Sequence, residues 1–238
     1  MALTICFTAL YVVFCFLPIS PIIGLPGKAV TAAAITAPLI GIILGMYLGT
    51  LSTILGGLIG FFVGFLSPSS FVSGVIAALC AAMLYDGKRG LCVFTYFSLL
   101  FLFGFYPFVG PIWLYLPLMW FQMAGFLVLI SPIQSMATKN LSSNNNSRIL
   151  SAFFIISLTS TLAGQIAGSF TFEVLSWPIF MADVNAWKAI WQATTFLYPV
   201  ERIIIALGAA FIGAWLHRVL KSANLTPVLN RAKSSKNV

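Results

Sequence analysis

Charge is what this 238-residue chain has least of: four acidic residues, twelve basic residues and one histidine, 7% charged in all against 61% apolar. A single histidine, His217, excludes a histidine-built metal centre and leaves a Ser/His hydrolase without its parts. Placed beside Arg218 at the end of the last apolar run, it reads as a marker of the membrane interface. The pair Tyr85-Asp86 has the form of half an intramembrane aspartyl protease, but Asp86 lies in a basic turn and no second embedded aspartate exists to share its proton. No GxxxxGK[ST] loop occurs, so ATP hydrolysis by that route is excluded. The four cysteines, Cys6, Cys15, Cys80 and Cys92, have spacings that suit neither a zinc site nor a disulfide framework and read as packing residues. No catalytic residue, metal site or cofactor is expected, and the chain reads as a non-enzyme.

What the sequence does have is long uncharged runs, with a mean hydropathy of +1.06. A run approaching twenty apolar residues crosses a hydrocarbon core of roughly 30 Å as a helix, and the short alternating segments of a barrel are missing. Eight hydrophobic segments fall near 2–20, 29–46, 48–66, 71–85, 90–107, 111–130, 149–172 and 200–220, the fourth short and the second interrupted by Pro38. The expectation is an all-α, polytopic transmembrane helix bundle of six to eight spans. Residues 1–222 would form one transmembrane domain and 223–238 a basic cytoplasmic tail. The first segment lacks a basic start and a small-x-small cleavage site, so it reads as a span and not a signal peptide.

Basic residues flanking spans are retained on the cytoplasmic side. Eight spans put Lys88, Arg89, Lys139, Arg148, Arg218, Lys221, Arg231, Lys233 and Lys236 on one side and Lys28, Lys188 and Arg202 on the other. Both termini are therefore expected in the cytoplasm of a multi-pass plasma-membrane protein. Three of the four acids, Glu173, Asp183 and Glu201, fall outside. The lipid bilayer accounts for the basic tail, and nucleic acid is not an expected partner.

Glycine is abundant where helices are expected. Gly41, Gly45 and Gly49 recur every four residues, as do Gly56, Gly60 and Gly64, with Ala29, Ala33 and Ala37 upstream and Gly164 and Gly168 downstream. In lipid, small residues let helix backbones approach closely, giving glycine-zipper packing. Such faces serve either crossings within the chain or docking onto another membrane subunit.

Intramembrane polar residues carry a functional expectation because burying them without a partner is costly. Gln122 and Gln165, each midway along a segment, are read either as interhelical hydrogen-bond formers or as contacts to a polar ligand. Between the last two spans, Trp187, Ile190, Trp191, Thr194 and Leu197 share one helical face, the pattern of an outer interfacial helix. As a lid, it would offer Trp177, Trp187 and Trp191 as stacking surfaces. Glu201 and Arg202 would sit at the outer mouth of the last helix, in a structural pair or against a charged substrate group. Trp113 and Trp120 read as belt or core residues.

Residues Ala9-Leu10-Tyr11-Val12-Val13, Leu17-Pro18-Ile19-Ser20-Pro21-Ile22-Ile23-Gly24, Ala37-Pro38-Leu39-Ile40-Gly41-Ile42-Ile43-Leu44-Gly45 and Tyr198-Pro199-Val200-Glu201-Arg202 together resemble the substrate-binding S component of energy-coupling factor (ECF) transporters, especially the archaeal type. The resemblance covers both ends of the chain and is diffuse in the middle. It implies a subunit that captures a vitamin, a similar micronutrient or a metal ion. A membrane-embedded coupling subunit and two cytoplasmic ATPases would drive release inward. The family's small-xxx-small docking face is matched best by Ala29, Ala33, Ala37, Gly41, Gly45 and Gly49, the first span having no such alanine pair. The histidine-rich N-terminus of the metal-binding branch is missing. The resemblance thus implies a pocket closed by residues 173–199 and walled by the last spans, drawing its substrate contacts from Gln122, Gln165, Trp177, Trp187, Trp191, Glu201 and Arg202. A structural or assembly subunit of a larger membrane complex and a stand-alone permease are the alternatives.

Overall fold

The computed structural model describes residues 2–143 and 145–223. The basic tail, with Arg231, Lys233 and Lys236, lies outside the described residues beyond Ala223.

Helices dominate. In chain order they are α1 (Ala2–Cys15), α2 (Ala33–Phe62), α3 (Pro68–Tyr85), α4 (Arg89–Gly104), α5 (Pro111–Leu114), a 3-10 turn (Leu116–Met119), α6 (Trp120–Ile130), α7 (Pro132–Asn140), α8 (Asn146–Ser176) and α9 (Val184–Ser222). Polar punctuation starts several of them. Ser67 precedes Pro68 and its hydroxyl accepts from Ser70 N–H at 3.1 Å, while Asn145 and Asp183 cap α8 and α9 in the same way. By length and composition alone, α2, α3, α8 and α9 reach the dimensions of a membrane crossing, and Leu116–Ile130 with Pro132–Asn140, bent by 66°, would make a fifth; α2, however, doubles back at Gly45 into the arms 33–44 and 46–62 and does not cross as one helix. Helices α1 and α4, at 14 and 16 residues, are shorter than a full crossing requires. Helices long enough to cross are thus fewer than the six to eight spans expected.

Helix α2 is not one straight rod. At roughly 1.5 Å per residue, thirty helical residues would hold its ends about 45 Å apart. Yet Lys28, just before it, donates from Nζ to the Gly64 carbonyl just after it, at 2.7 Å. A methyl added at Gly49 would lie 2.9 Å from the Ile40 oxygen, although residues nine apart in a straight helix are roughly 13 Å apart. The chain reverses at Gly45 (φ 78°, ψ −177°), a conformation that is essentially confined to glycine, and the arms 33–44 and 46–62 lie side by side. Asp86 accepts from Met46 N–H at 3.3 Å and fastens the turn to the end of α3. The break between the second and third hydrophobic segments is therefore at Gly45. Pro38 is carried inside the first arm and does not interrupt it.

The glycine repeats pack these elements together. A methyl at Gly41 would overlap the Ala78 carbonyl oxygen of α3, and Gly164 and Gly168 meet the Ser73 and Ser69 carbonyls from α8. Gly56 and Gly60 receive Tyr11 and Cys15 of α1. Helix α3 is thereby sandwiched between α2 and α8.

The stretch expected to end the first span forms an antiparallel hairpin, β1 (Pro18–Pro21) with β2 (Ala29–Thr31), pairing Ser20 with Val30 and Pro21 with Ala29. This hairpin defines one end of the bundle. From it the first arm of α2 and the later part of α9 run side by side, Gly208 on Ile35 and Gly213 on Leu39, while α1 runs toward it beside the second arm. The described basic residues sort by end: Lys28, Lys188 and Arg202 lie toward the hairpin, and Lys88, Arg89, Lys139, Arg148, Arg218 and Lys221 lie away from it. At the far end, Arg89 clamps the bend between α6 and α7. Its Nε donates to the Leu129 carbonyl at 2.9 Å, one terminal nitrogen to the Ser131 carbonyl at 2.8 Å and the other to the Ser135 hydroxyl.

Candidate ligand-binding site

Beneath the hairpin lies a cleft with about 760 Å³ of free space, its open mouth included. Five elements supply most of its wall. Helix α3 turns Ser69, Ser70, Ser73 and Gly74 toward it, a serine-and-glycine stripe at helical spacing. Helix α8 contributes Gln165, Gly168, Ser169 and Phe172, again about one turn apart, and α9 contributes Tyr198, Glu201 and Arg202. Pro21, Ile22, Ile23, Val30 and Thr31 of the hairpin form an apolar roof, and Tyr11 of α1 closes one side. One face is thus rich in hydroxyl groups and the other is apolar, the usual division of a small-molecule site.

Glu201 and Arg202 are both buried and form an ion pair. The Ser20 hydroxyl donates to the second carboxylate oxygen, Oε2, at 2.7 Å and ties the hairpin to α9. Both carboxylate oxygens are engaged, whereas Arg202 Nε has no hydrogen-bond partner among the described residues. Gln165 is 5% exposed, and neither its amide nitrogen nor its oxygen finds a partner among those residues. Two unpartnered polar atoms at a buried position normally cost about 1–3 kcal/mol each, and at Gln165 they belong to a residue that lines the cleft.

Of the seven substrate contacts expected, Gln165, Glu201 and Arg202 come together here. The other four do not. Gln122 is buried in α6 near α4, where its own carbonyl accepts from the Tyr96 hydroxyl at 2.8 Å. Trp187 and Trp191 are fully buried: their indole N–H groups donate to the Met181 and Val109 carbonyls, both at 2.8 Å, and their rings pack on Phe172 and Phe103. Trp177 stands beside Phe108, ring centres 6.1 Å apart. The amphipathic stretch expected as an outer interfacial helix and lid is the first part of α9. Its apolar face is spent on protein packing, and the hairpin covers the cleft in its place.

The expected docking face also turns inward. Ala33, Ala37, Gly41, Gly45 and Gly49 are buried within this chain because α3 and the folded-back arm of α2 occupy their surface, and Ala29 pairs in the hairpin. His217, expected at the interface, is buried with its ring on Phe153. Cys15, Cys80 and Cys92 pack in the core as expected, while Cys6 is exposed. Glu173, assigned to the outer face, is fully buried in α8 with neither carboxyl oxygen partnered among the described residues.

Sequence reasoning missed the serines. Ser69, Ser70 and Ser73 were legible as a polar stripe three and four residues apart, and the same spacing relates Gln165 to Ser169 and Tyr198 to Glu201 and Arg202. Compared with known proteins, the chain matches no family model, no curated protein and no solved structure.

Proposed function

We propose that the chain is a membrane-embedded substrate-capture subunit of the ECF type, which binds a vitamin or similar micronutrient in the cleft beneath the hairpin. ATP hydrolysis would come from two cytoplasmic partners, acting through a membrane-embedded coupling subunit. The observation that carries this reading is Gln165, which lines the cleft and whose buried carboxamide has neither end partnered among the described residues. A site prepared for a polar solute suits capture, and the absence of a P-loop suits dependence on partner ATPases. The sorting of basic residues by end supports an orientation with the hairpin outside and both termini in the cytoplasm. The Ala29–Gly49 stripe is consumed inside the chain, so a coupling subunit would dock on another face of the bundle.

Affinity purification from the native membrane in mild detergent, with mass spectrometry of co-purifying proteins and retained small molecules, tests the proposal. The expected result is a membrane partner with ATP-hydrolysing subunits and a vitamin-like compound. Recovery of an unrelated membrane complex without a small molecule would refute it.

A further inference from the structure

The cleft's hydrogen-bonding inventory specifies its ligand more narrowly than its size does. Fixed charge cancels within it: Glu201 is paired with Arg202, and its other oxygen is taken by Ser20. An anionic ligand would find no unpaired cation among the lining residues, and a cationic one would find no free carboxylate. An ion left unpaired in such a site is strongly disfavoured. What the lining leaves open carries no net charge: the N–H and carbonyl ends of Gln165, side by side, the Nε–H of the already paired Arg202, and the serine hydroxyls of α3. Because both ends of the carboxamide are free, this inventory holds whichever way the amide is turned.

A carboxamide edge is complementary to another amide edge. A primary carboxamide, a lactam or a ureido group presents one donor beside one acceptor and closes two hydrogen bonds with it at once. Phe172, two turns along the same face of α8, and Ile22 and Ile23 of the roof offer apolar surface suited to a flat ring. We infer that the cleft selects an uncharged, flat ligand bearing an amide-type donor–acceptor edge, and that Gln165 is the residue that reads this edge. The inference rests on the substrate-capture reading for its biological setting, but the ligand chemistry can be tested without any partner protein.

The test uses the purified full chain in detergent and three probes that share one ring: benzamide, benzoate and benzylamine, the last two charged at neutral pH. Each is titrated to millimolar concentration while thermal stability is followed. Benzamide is expected to raise the Tm, with benzoate and benzylamine doing so only at concentrations about tenfold higher or more. Gln165→Leu is expected to fold with an unliganded Tm at least equal to wild type and to weaken benzamide about tenfold, since a neutral hydrogen bond or two is lost. Gln165→Met, which keeps an unbranched chain, serves if the leucine variant does not fold. Preference for either charged probe, benzamide binding unaffected by loss of Gln165, or no response to any probe would overturn the inference. If benzamide behaves as expected and no ATPase-bearing partner co-purifies, the ligand class stands and the transporter reading falls; the reverse pattern reverses the conclusion.

Discussion

Replacing Gly41 by alanine puts a methyl group in place of a hydrogen at the closest approach to another helix's backbone among the described glycines. The new methyl would overlap the Ala78 carbonyl oxygen and lie 3.0 Å from its carbon and 3.1 Å from the Ala82 nitrogen. All three are backbone atoms of α3, so no side chain can rotate out of the way. Helix α3 must move bodily, and it is held from behind by the Gly164 and Gly168 contacts with α8. Overpacking of this kind costs about 1–3 kcal/mol, and the absence of a flexible neighbour favours the upper end. For a chain of this length that corresponds to a drop of roughly 5–10 °C in Tm. Gly90, in the first turn of α4, has nothing within 4 Å of the same notional methyl, so Gly90→Ala is the matched control and is expected to be neutral or slightly stabilising. Thermal unfolding of the three proteins in one detergent is the assay. A Gly41→Ala protein as stable as wild type would mean that α2 and α3 do not meet backbone to backbone at this level.

Separating the buried ion pair should be costly. Arg202→Met alone is expected to lose about 3–5 kcal/mol, and the double change Glu201→Gln with Arg202→Met to lose less, as a double-mutant cycle in chemical denaturant would show. Trp191→Phe keeps most of the ring but removes the donor to the Val109 carbonyl. A loss of about 1–3 kcal/mol is expected, and an unchanged unfolding midpoint would contradict the hydrogen bond's role. Arg89→Lys retains the charge yet cannot reproduce three directed contacts, so limited proteolysis should cut faster around the bend at Ser131, with little change at the hairpin end.

Composition was enough to read an apolar helical bundle, because hydropathy is a property of whole runs and survives errors at their ends. Separating 29–46 from 48–66 was likewise legible, although the physical break is the glycine conformation at Gly45 and not the conspicuous Pro38. A proline within a helix costs one hydrogen bond, whereas a reversal needs a backbone conformation open only to glycine. The glycine repeats showed that backbones would meet, but not which ones, since close approach within the chain and between chains calls for the same residues. Three of the seven expected contacts reach the cleft because polar residues in apolar runs are rarely idle. The tryptophans did not, since a periodic aromatic face reads identically whether it meets lipid, ligand or another helix. The hairpin was illegible: Pro18-Ile19-Ser20-Pro21 has no alternating pattern, and its pairing depends on β2 and on Ser20 reaching Glu201.

That last bond joins residues 181 positions apart in the chain. The cleft draws on Tyr11 near one end of the sequence and Arg202 near the other, with α3 and α8 between. During synthesis the N-terminal parts emerge first, and a contact of such long sequence separation cannot form until α9 has left the ribosome. Hairpin, serine stripe and Gln165 can all be in place while the wall that carries Tyr198, Glu201 and Arg202 is still missing. The cleft is therefore a property of the finished polypeptide alone, and a chain stalled or truncated before α9 would lack the wall that carries Tyr198, Glu201 and Arg202.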